Sequence, residues 1–411
     1  MLAFSLTYDL NKELIDLKRM LTTMIAVLMA FVCLEAGVCA APMLLPFDPK
    51  WTEEDVRGLI AAGAQVNTDP GYGWTPLMHA LWLGAGFEVI DVLLKAGADV
   101  NRRDATGMTP IMASVMRSYT ASNLAIIQAL VVAGASVNVS DIEGRTPLMM
   151  AAQHNLCTAI TETLIDNGAC VDAVDRGGRT ALMYAAEHNL NAKITKALIT
   201  AGADVNAATP HLWTPLMWAA HSNTNEDVVV ALLDAGADID AAEVISYSTP
   251  LMLAIECNAN VEVAKVLIAR GANVNVKGNI DRTPLIAAAE HNPDSDLIMA
   301  LLAASADVNA ETWWGLAPIT AAATKAGVDT MALLVEAGAN INARDREGRT
   351  PLMLAAWLNP NPHVTSILLT LGADAKLKCA QGKTALEWAQ DNESLKNSIV
   401  YGLLKIATGD Y

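Results

Sequence analysis

An all-α solenoid of stacked antiparallel helix pairs with projecting hairpin fingers is predicted for this 411-residue chain by three observations. A Thr-Pro-Leu-Met-x-Ala-Ala phrase or a close variant returns ten times, at Thr75, Thr109, Thr146, Thr180, Thr214, Thr249, Thr283, Ala317, Thr350 and Thr384. The intervals are 34, 37, 34, 34, 35, 34, 34, 33 and 34 residues. Such a period marks one supersecondary unit copied along the chain, each copy burying its apolar face only against its neighbours. Third, 53% of the residues are apolar and 17% are charged, a balance that builds a continuous core and excludes a disordered chain.

The first forty residues stand apart from the period. Lys18 and Arg19 precede an apolar run from Met20 to Leu34, and Val38-Cys39-Ala40 supplies small residues before Ala41-Pro42. That is the grammar of a secretory signal, so residues 1–40 read as a signal peptide cleaved after Ala40, with residues 41–50 as a linker. Residues 1–19 are long and mixed in charge for a leader, which fits translation starting at Met20. Export places the protein in the periplasm or outside the cell; a leader that is kept leaves it membrane-tethered or cytoplasmic. Cys33 and Cys39 fall in this segment, and the four later cysteines, Cys157, Cys170, Cys257 and Cys379, occupy different settings of the repeat. A disulfide needs Cα atoms within roughly 7 Å, so these four are expected to be free thiols.

Residues 51–74 read as a truncated N-terminal capping repeat, 75–383 as nine repeats, and 384–411 as a C-terminal capping repeat and tail. Within a unit such as Thr214-Pro215-Leu216-Met217, Thr is a good helix N-cap, and Pro fits the first helical position, where its missing N–H costs nothing. The first helix is predicted to end at Asn223 in the left-handed conformation, a signal repeated at Asn155, Asn189, Asn258, Asn292 and Asn359. A second helix opens at Asn225-Glu226-Asp227, with acids facing the positive end of the helix dipole, and carries the apolar stripe Val228, Val229, Leu232 and Leu233. Gly236 ends it, as do Gly97, Gly134, Gly168, Gly202, Gly271, Gly338 and Gly372, whereas Ser305 breaks the rule at a cost of about 1 kcal/mol. Turn residues then lead to the next Thr through a finger.

These residues resemble ankyrin repeats over roughly residues 51–404. Gly144-Arg145-Thr146-Pro147-Leu148 matches one half of that family's pattern and Ala201-Gly202-Ala203-Asp204-Val205-Asn206 the other. The resemblance implies helix pairs with projecting fingers, a concave face lined by fingers and first helices, and a function in binding other proteins. One departure is systematic. The histidine that the family has after Thr-Pro-Leu is Met78, Met112, Met149, Met183, Met217, Met252 and Met353 here, with Ile286, Thr320 and Glu387 completing the column. The Met stripe reads as adaptable core filler, and it leaves open how neighbouring repeats are tied by polar groups.

No motif for nucleophilic, zinc-hydrolytic or phosphate-binding chemistry occurs, so the chain reads as a non-enzyme without cofactor. The alternative is a metal-dependent or enzymatic role at His188, His221 and Glu187, within a row that includes His154, His291, Glu256 and Glu290. Equivalent slots in adjacent repeats lie about 10 Å apart, too far for zinc bonds of roughly 2 Å, so a hydrated polar rim is the simpler reading.

The fingers carry the functional signal. Asp141-Ile142-Glu143-Gly144-Arg145, Asp175-Arg176-Gly177-Gly178-Arg179 and Asp345-Arg346-Glu347-Gly348-Arg349 keep a charged consensus. Thr209-Pro210-His211-Leu212-Trp213, Val244-Ile245-Ser246-Tyr247-Ser248, Gly278-Asn279-Ile280-Asp281 and Thr312-Trp313-Trp314-Gly315-Leu316 do not. Exposed aromatic and aliphatic tips are preferred interface anchors. The expected partner-binding residues are Tyr184, His211, Trp213, Trp218, Ile245, Tyr247, Trp313 and Trp314. A Trp before Thr-Pro, as at Trp74 and Trp213, has the competing role of packing across adjacent fingers. With 27 Lys+Arg against 44 Asp+Glu, net −17, the surface repels phosphate backbones, which excludes nucleic acid and points to a protein with a basic and apolar surface.

Overall fold

The computed structural model describes residues 51–69, 73–116, 122–154, 157–291, 294–325 and 327–409. The signal peptide, the linker, Cys33, Cys39, Asn155 and Asn292 lie outside the described residues. The chain divides into two compact units, one ending at Arg176 and the other running Gly177–Tyr411. The first unit contains α1 (Glu53–Ala61), α2 (Pro76–Leu83), α3 (Phe87–Lys95), α4 (Pro110–Met116), α5 (Ser122–Val132), α6 (Pro147–His154) and α7 (Thr158–Asp166). The second begins with α8 (Ala181–His188), α9 (Ala192–Thr200), α10 (Pro215–Ser222), α11 (Glu226–Asp234), α12 (Pro250–Cys257), α13 (Val261–Ala269), α14 (Pro284–His291) and α15 (Ser295–Ala303). It ends with α16 (Pro318–Lys325), α17 (Val328–Glu336), α18 (Pro351–Leu358), α19 (Pro362–Thr370), α20 (Ala385–Ala389), α21 (Glu393–Lys396) and α22 (Ile399–Thr408). Among the described residues there is no strand. The predicted hairpin fingers are tight turns, too short to pair as strands.

Each first helix starts as its sequence dictates. Thr214 is extended, its hydroxyl accepts from the Met217 N–H at 3.3 Å, and Pro215 opens α10. The Met column is core: Met78, Met112, Met183 and Met217 are fully buried, as are Ile286 and Thr320. Thr320 brings a hydroxyl into that column with no hydrogen-bond partner. Glu387 escapes burial because the column ends at the C-terminal cap, where its carboxylate accepts from the Thr384 N–H at 2.6 Å.

The predicted left-handed exit at the asparagines is corrected. Asn189, Asn223, Asn258 and Asn359 are all extended, with Asn223 at φ −83°, ψ 121°. The side chains of Asn223, Asn258 and Asn359 reach back to the previous repeat. The Asn223 amide donates to the carbonyls of Ala186 (2.8 Å) and Asn189 (3.0 Å), and the Asn258 amide donates to Ala220 (2.9 Å) and Asn223 (2.8 Å). These bonds satisfy carbonyls that a helix C-terminus leaves unpaired. The Asn223 side-chain oxygen meanwhile accepts from the Asn225 N–H at 2.9 Å and turns the chain into α11.

A second ladder runs along the other end of the pairs. The Asn206 amide donates to the Gly236 carbonyl (3.1 Å) while its oxygen accepts from the Asp238 N–H (2.8 Å), and Asn101 and Asn138 grip the next repeat the same way in the first unit. The two ladders supply the inter-repeat polar tie that the Met column lacks. Second helices exit through a left-handed residue, Gly236 at φ 88° and, without glycine's freedom, Ser305 at φ 66°.

Candidate protein-binding face

A finger is built by two kinds of backbone bond. Within a finger the chain closes on itself, as in Asp141 N–H to the Arg145 carbonyl (3.0 Å), Thr209 to Trp213 (3.0 Å), Glu243 to Ser248 (3.3 Å), Gly278 to Arg282 (2.8 Å) and Thr312 to Leu316 (3.1 Å). Between fingers, the N–H after the first residue donates to the preceding tip. Val244 bonds to the His211 carbonyl (3.4 Å), Asn279 to Ser246 (2.7 Å), Trp313 to Ile280 (2.7 Å) and Arg346 to Trp314 (3.0 Å). The fingers of the second unit from Thr209 to Arg349 therefore form one hydrogen-bonded series. At position 210 the donor slot is filled by Pro210, which has no N–H to give.

The turn needs a left-handed residue before its last position. Charged fingers place glycine there, as with Gly144 at φ 81°. Three of the middle fingers place Leu212 (φ 61°), Tyr247 (φ 55°) and Asp281 (φ 61°) there, with Ile280 beside Asp281 left-handed as well (φ 57°), while the finger of Trp313 and Trp314 keeps Gly315 (φ 75°). A β-branched side chain in this region is strained.

Finger 243–248 is one residue longer, and Glu243 organises it. Its buried carboxylate accepts from the Ile245 N–H (2.7 Å), the Ser246 N–H (2.5 Å), the Ser246 hydroxyl and the Ser248 N–H (3.4 Å). Burial opposes the charge, but the bonds from Ser246, Ile245 and Ser248 outweigh it and hold the carboxyl below the usual glutamate range.

The predicted site residues separate into two groups. Ile245 (72% exposed), Tyr247 (60%), Trp313 (54%) and Trp314 (50%) stand out at the tips, and His211 is exposed beside them. Trp313 and Trp314 pack edge to face at 4.9 Å, with the Arg346 guanidinium 4.1 Å from the Trp313 ring centre. Leu212, Val244 and Ile280 are exposed in the same series. None of these three is among the expected site residues, although a bulky residue in a glycine slot is the signal for Leu212.

Tyr184, Trp213 and Trp218 form the second group, around Arg179. Tyr184 is only 7% exposed, which corrects the expectation that it faces a partner. The Arg179 guanidinium covers it at 4.2 Å, lies 4.2 Å from the half-buried Trp218, and is paired with Glu187. Trp213 packs at a tilt against Trp218 (4.5 Å) and meets the His221 ring edge-on (5.6 Å), so it packs into its own repeat while its finger reaches outward. Trp74 plays the packing role outright, its indole N–H donating to Asp104 of the following finger at 2.8 Å.

The same cluster holds the residues of the metal alternative. His188 bonds to Glu187 at 3.1 Å. Burial opposes the Glu187 charge, and the His188 hydrogen bond and the Arg179 charge overcome it, keeping the carboxyl below its ordinary range. Burial pushes the His221 imidazole down against the pull of Glu187. Arg282 repeats the arrangement, with Glu256 at 3.0 Å and Glu290 at 2.7 Å. Among the described residues no three His, Cys, Asp or Glu side chains come together as a metal site, and Cys157, Cys170, Cys257 and Cys379 form no disulfide. No described helix is long and apolar enough to cross a membrane.

Comparison with known proteins follows the same repeats. A family model described as ankyrin repeats in three copies matches overlapping stretches, 87–175, 111–209, 177–243, 191–278, 216–312, 251–345, 285–379 and 319–408. The ankyrin repeat and LEM domain-containing protein 1 homolog of Caenorhabditis elegans is 39% identical over 74 residues, 18% of this chain. The chain spans 10% of the length of that relative. The crystal structure of the human ASB11 ankyrin repeat domain is similar with a TM-score of 0.49 and 29% identity, over 55% of this chain and 98% of that one.

Proposed function

This chain belongs to the ankyrin repeat family, and from that premise we propose that it is a non-enzymatic scaffold that holds a partner protein on the fingers of its middle repeats. Members of such a family share a frame and bind through what varies on it, so the departures from the frame direct the reading. The observation that carries it is the stripe of Leu212, Ile245, Tyr247, Ile280, Trp313 and Trp314, exposed on successive fingers and partly held in left-handed backbone. Strain and exposed apolar area both weigh against the free protein, and a covering partner relieves the second. Replacing Tyr247, Trp313 and Trp314 together by Ala is expected to weaken capture of the natural partner by about 2 kcal/mol or more. Helical content by circular dichroism should stay unchanged. Capture at full strength by the triple variant removes the fingers as the binding face.

Residues 18–40 support export as the setting of this function. N-terminal sequencing of the natively expressed chain should begin at Ala41; a start at Met1 or Met20 removes the export reading.

A further inference from the structure

Pitch and charge of the finger series define what fits along it. Each finger contributes one bond that closes it and one bond to its neighbour, so consecutive tips are two hydrogen-bonded steps apart, roughly 9.6 Å at about 4.8 Å per step. An anchor row that matches this pitch must repeat at about the same distance. A β-strand, rising about 3.3 Å per residue, offers one-sided anchors every ~6.6 or ~13 Å and misses it. A polyproline II segment has three residues per turn and rises about 3.1 Å each, so every third side chain points the same way at ~9.3 Å spacing. An α-helix returns to one face after seven residues, about 10.5 Å, a pitch that also lies near the spacing of the tips. What sets it apart is that an amphipathic helix lays its apolar face into a groove, whereas an aromatic pair such as Trp313 and Trp314 takes a polyproline II segment.

Charge gives the remaining specification. Residues 205–316, which carry the divergent fingers, hold four Lys and Arg against fourteen Asp and Glu, a formal balance of −10 out of −17 for the whole chain. Asp281 and Glu311 are exposed at or beside the tips themselves. A ligand lying along this row is therefore attracted by positive charge between its apolar anchors.

We infer that the fingers from Thr209 to Leu316 bind an extended, positively charged segment of a partner protein that carries an apolar residue at every third position. The inference rests on the scaffold reading above and specifies its ligand. The conformation also explains the anchors, because wide aromatic faces such as Trp313 and Trp314 dock a segment whose backbone makes no internal hydrogen bonds.

The test uses the full chain and labelled peptides of about fifteen residues, long enough to cross four fingers in this conformation. All contain the same number of Leu, Lys and Ala, with the Leu set at every third position, in alternation over the central part of the peptide, or at helix-face spacing. Fluorescence anisotropy should show the every-third peptide binding at least tenfold tighter than either control, with the preference abolished by the combined Tyr247→Ala, Trp313→Ala and Trp314→Ala changes. A matched peptide with Glu for Lys should bind at least tenfold more weakly than its Lys counterpart. Equal binding of the three spacings, or a preference for alternation or the helix face, overturns the extended register. A preference that survives the triple variant overturns the fingers as its seat, and equal binding of the Glu peptide overturns the charge requirement. Loss of natural-partner capture in the triple variant without any spacing preference sinks this inference and leaves the scaffold reading standing; unchanged capture sinks both.

Discussion

Ser305 and Ile280 both hold a left-handed backbone that glycine occupies without strain, and they differ in what the side chain does. Ser305 ends a second helix and its carbonyl accepts from the Asn275 amide at 3.0 Å, a bond that the backbone alone supplies. Ser305→Gly is therefore expected to stabilise the protein by about 1 kcal/mol, after the extra freedom of glycine in the unfolded chain is set against the strain removed. Ile280→Gly should stabilise at least as much, because a β-branched side chain is the worse fit to that conformation. The two should part in binding, with partner capture kept by Ser305→Gly and weakened by Ile280→Gly. Urea midpoints and capture measured on the same preparations check both; an Ile280→Gly protein that captures normally places its side chain outside the contact. Thr320 tests the core on the same scale. Its buried hydroxyl has no partner, so Thr320→Val should raise stability by about 1 kcal/mol in the urea midpoint.

The helices were legible because each carries its own start and stop. Thr-Pro opens most first helices, an Asn or Asp cap opens second helices such as those after Asn191, Asn225, Asn260, Asp294 and Asn361, and glycine closes most of the second helices, all within a few residues of the event they cause. The asparagine exits were misread because an Asn after a helix has two uses, a left-handed turn by its backbone or a cap by its side chain, and the partner that decides is one repeat away. Their spacing was the available clue: Asn189, Asn223 and Asn258 recur at the repeat period and so face one another. The longer finger at 243–248 illustrates what local sequence leaves open, since Glu243 replaces the usual Asp or Thr and gathers the turn around one carboxylate. Its folded pKa is depressed, so its contribution is complete above the unfolded glutamate value of about 4.3 and is lost as the pH falls through the folded value. Amide exchange at Ile245, Ser246 and Ser248 should lose protection across that acid window, and Glu243→Gln should flatten the dependence. Unchanged exchange in the wild type would detach the carboxylate from the order of this finger.

Across the whole molecule, the recurring period made the architecture readable, whereas exposure of the candidate anchors was only partly so. Tyr184 and Trp313 look alike as aromatic residues near variable fingers, yet Arg179 lies over one and the other stands half in solvent with Arg346 at its face. Which arginine covers which ring depends on contacts between separate fingers and helices that no local pattern encodes. Charge, by contrast, is a property of the whole chain that the sequence states directly, and its uneven placement has two consequences of opposite sign. Like charges crowded into residues 205–316 repel one another in the folded state, so added salt should stabilise the free protein. The same field draws in a positively charged partner from a distance, so added salt should slow association. Between 0.1 M and 1 M salt the screening length falls from about 10 Å to about 3 Å, shorter than the spacing of neighbouring fingers. Association rates by stopped flow are expected to drop by about tenfold over that range while the thermal midpoint rises, with dissociation nearly unchanged. A faster association in high salt would mean that the apolar stripe acts alone and that the acidic middle repeats serve only to keep the exposed fingers in solution.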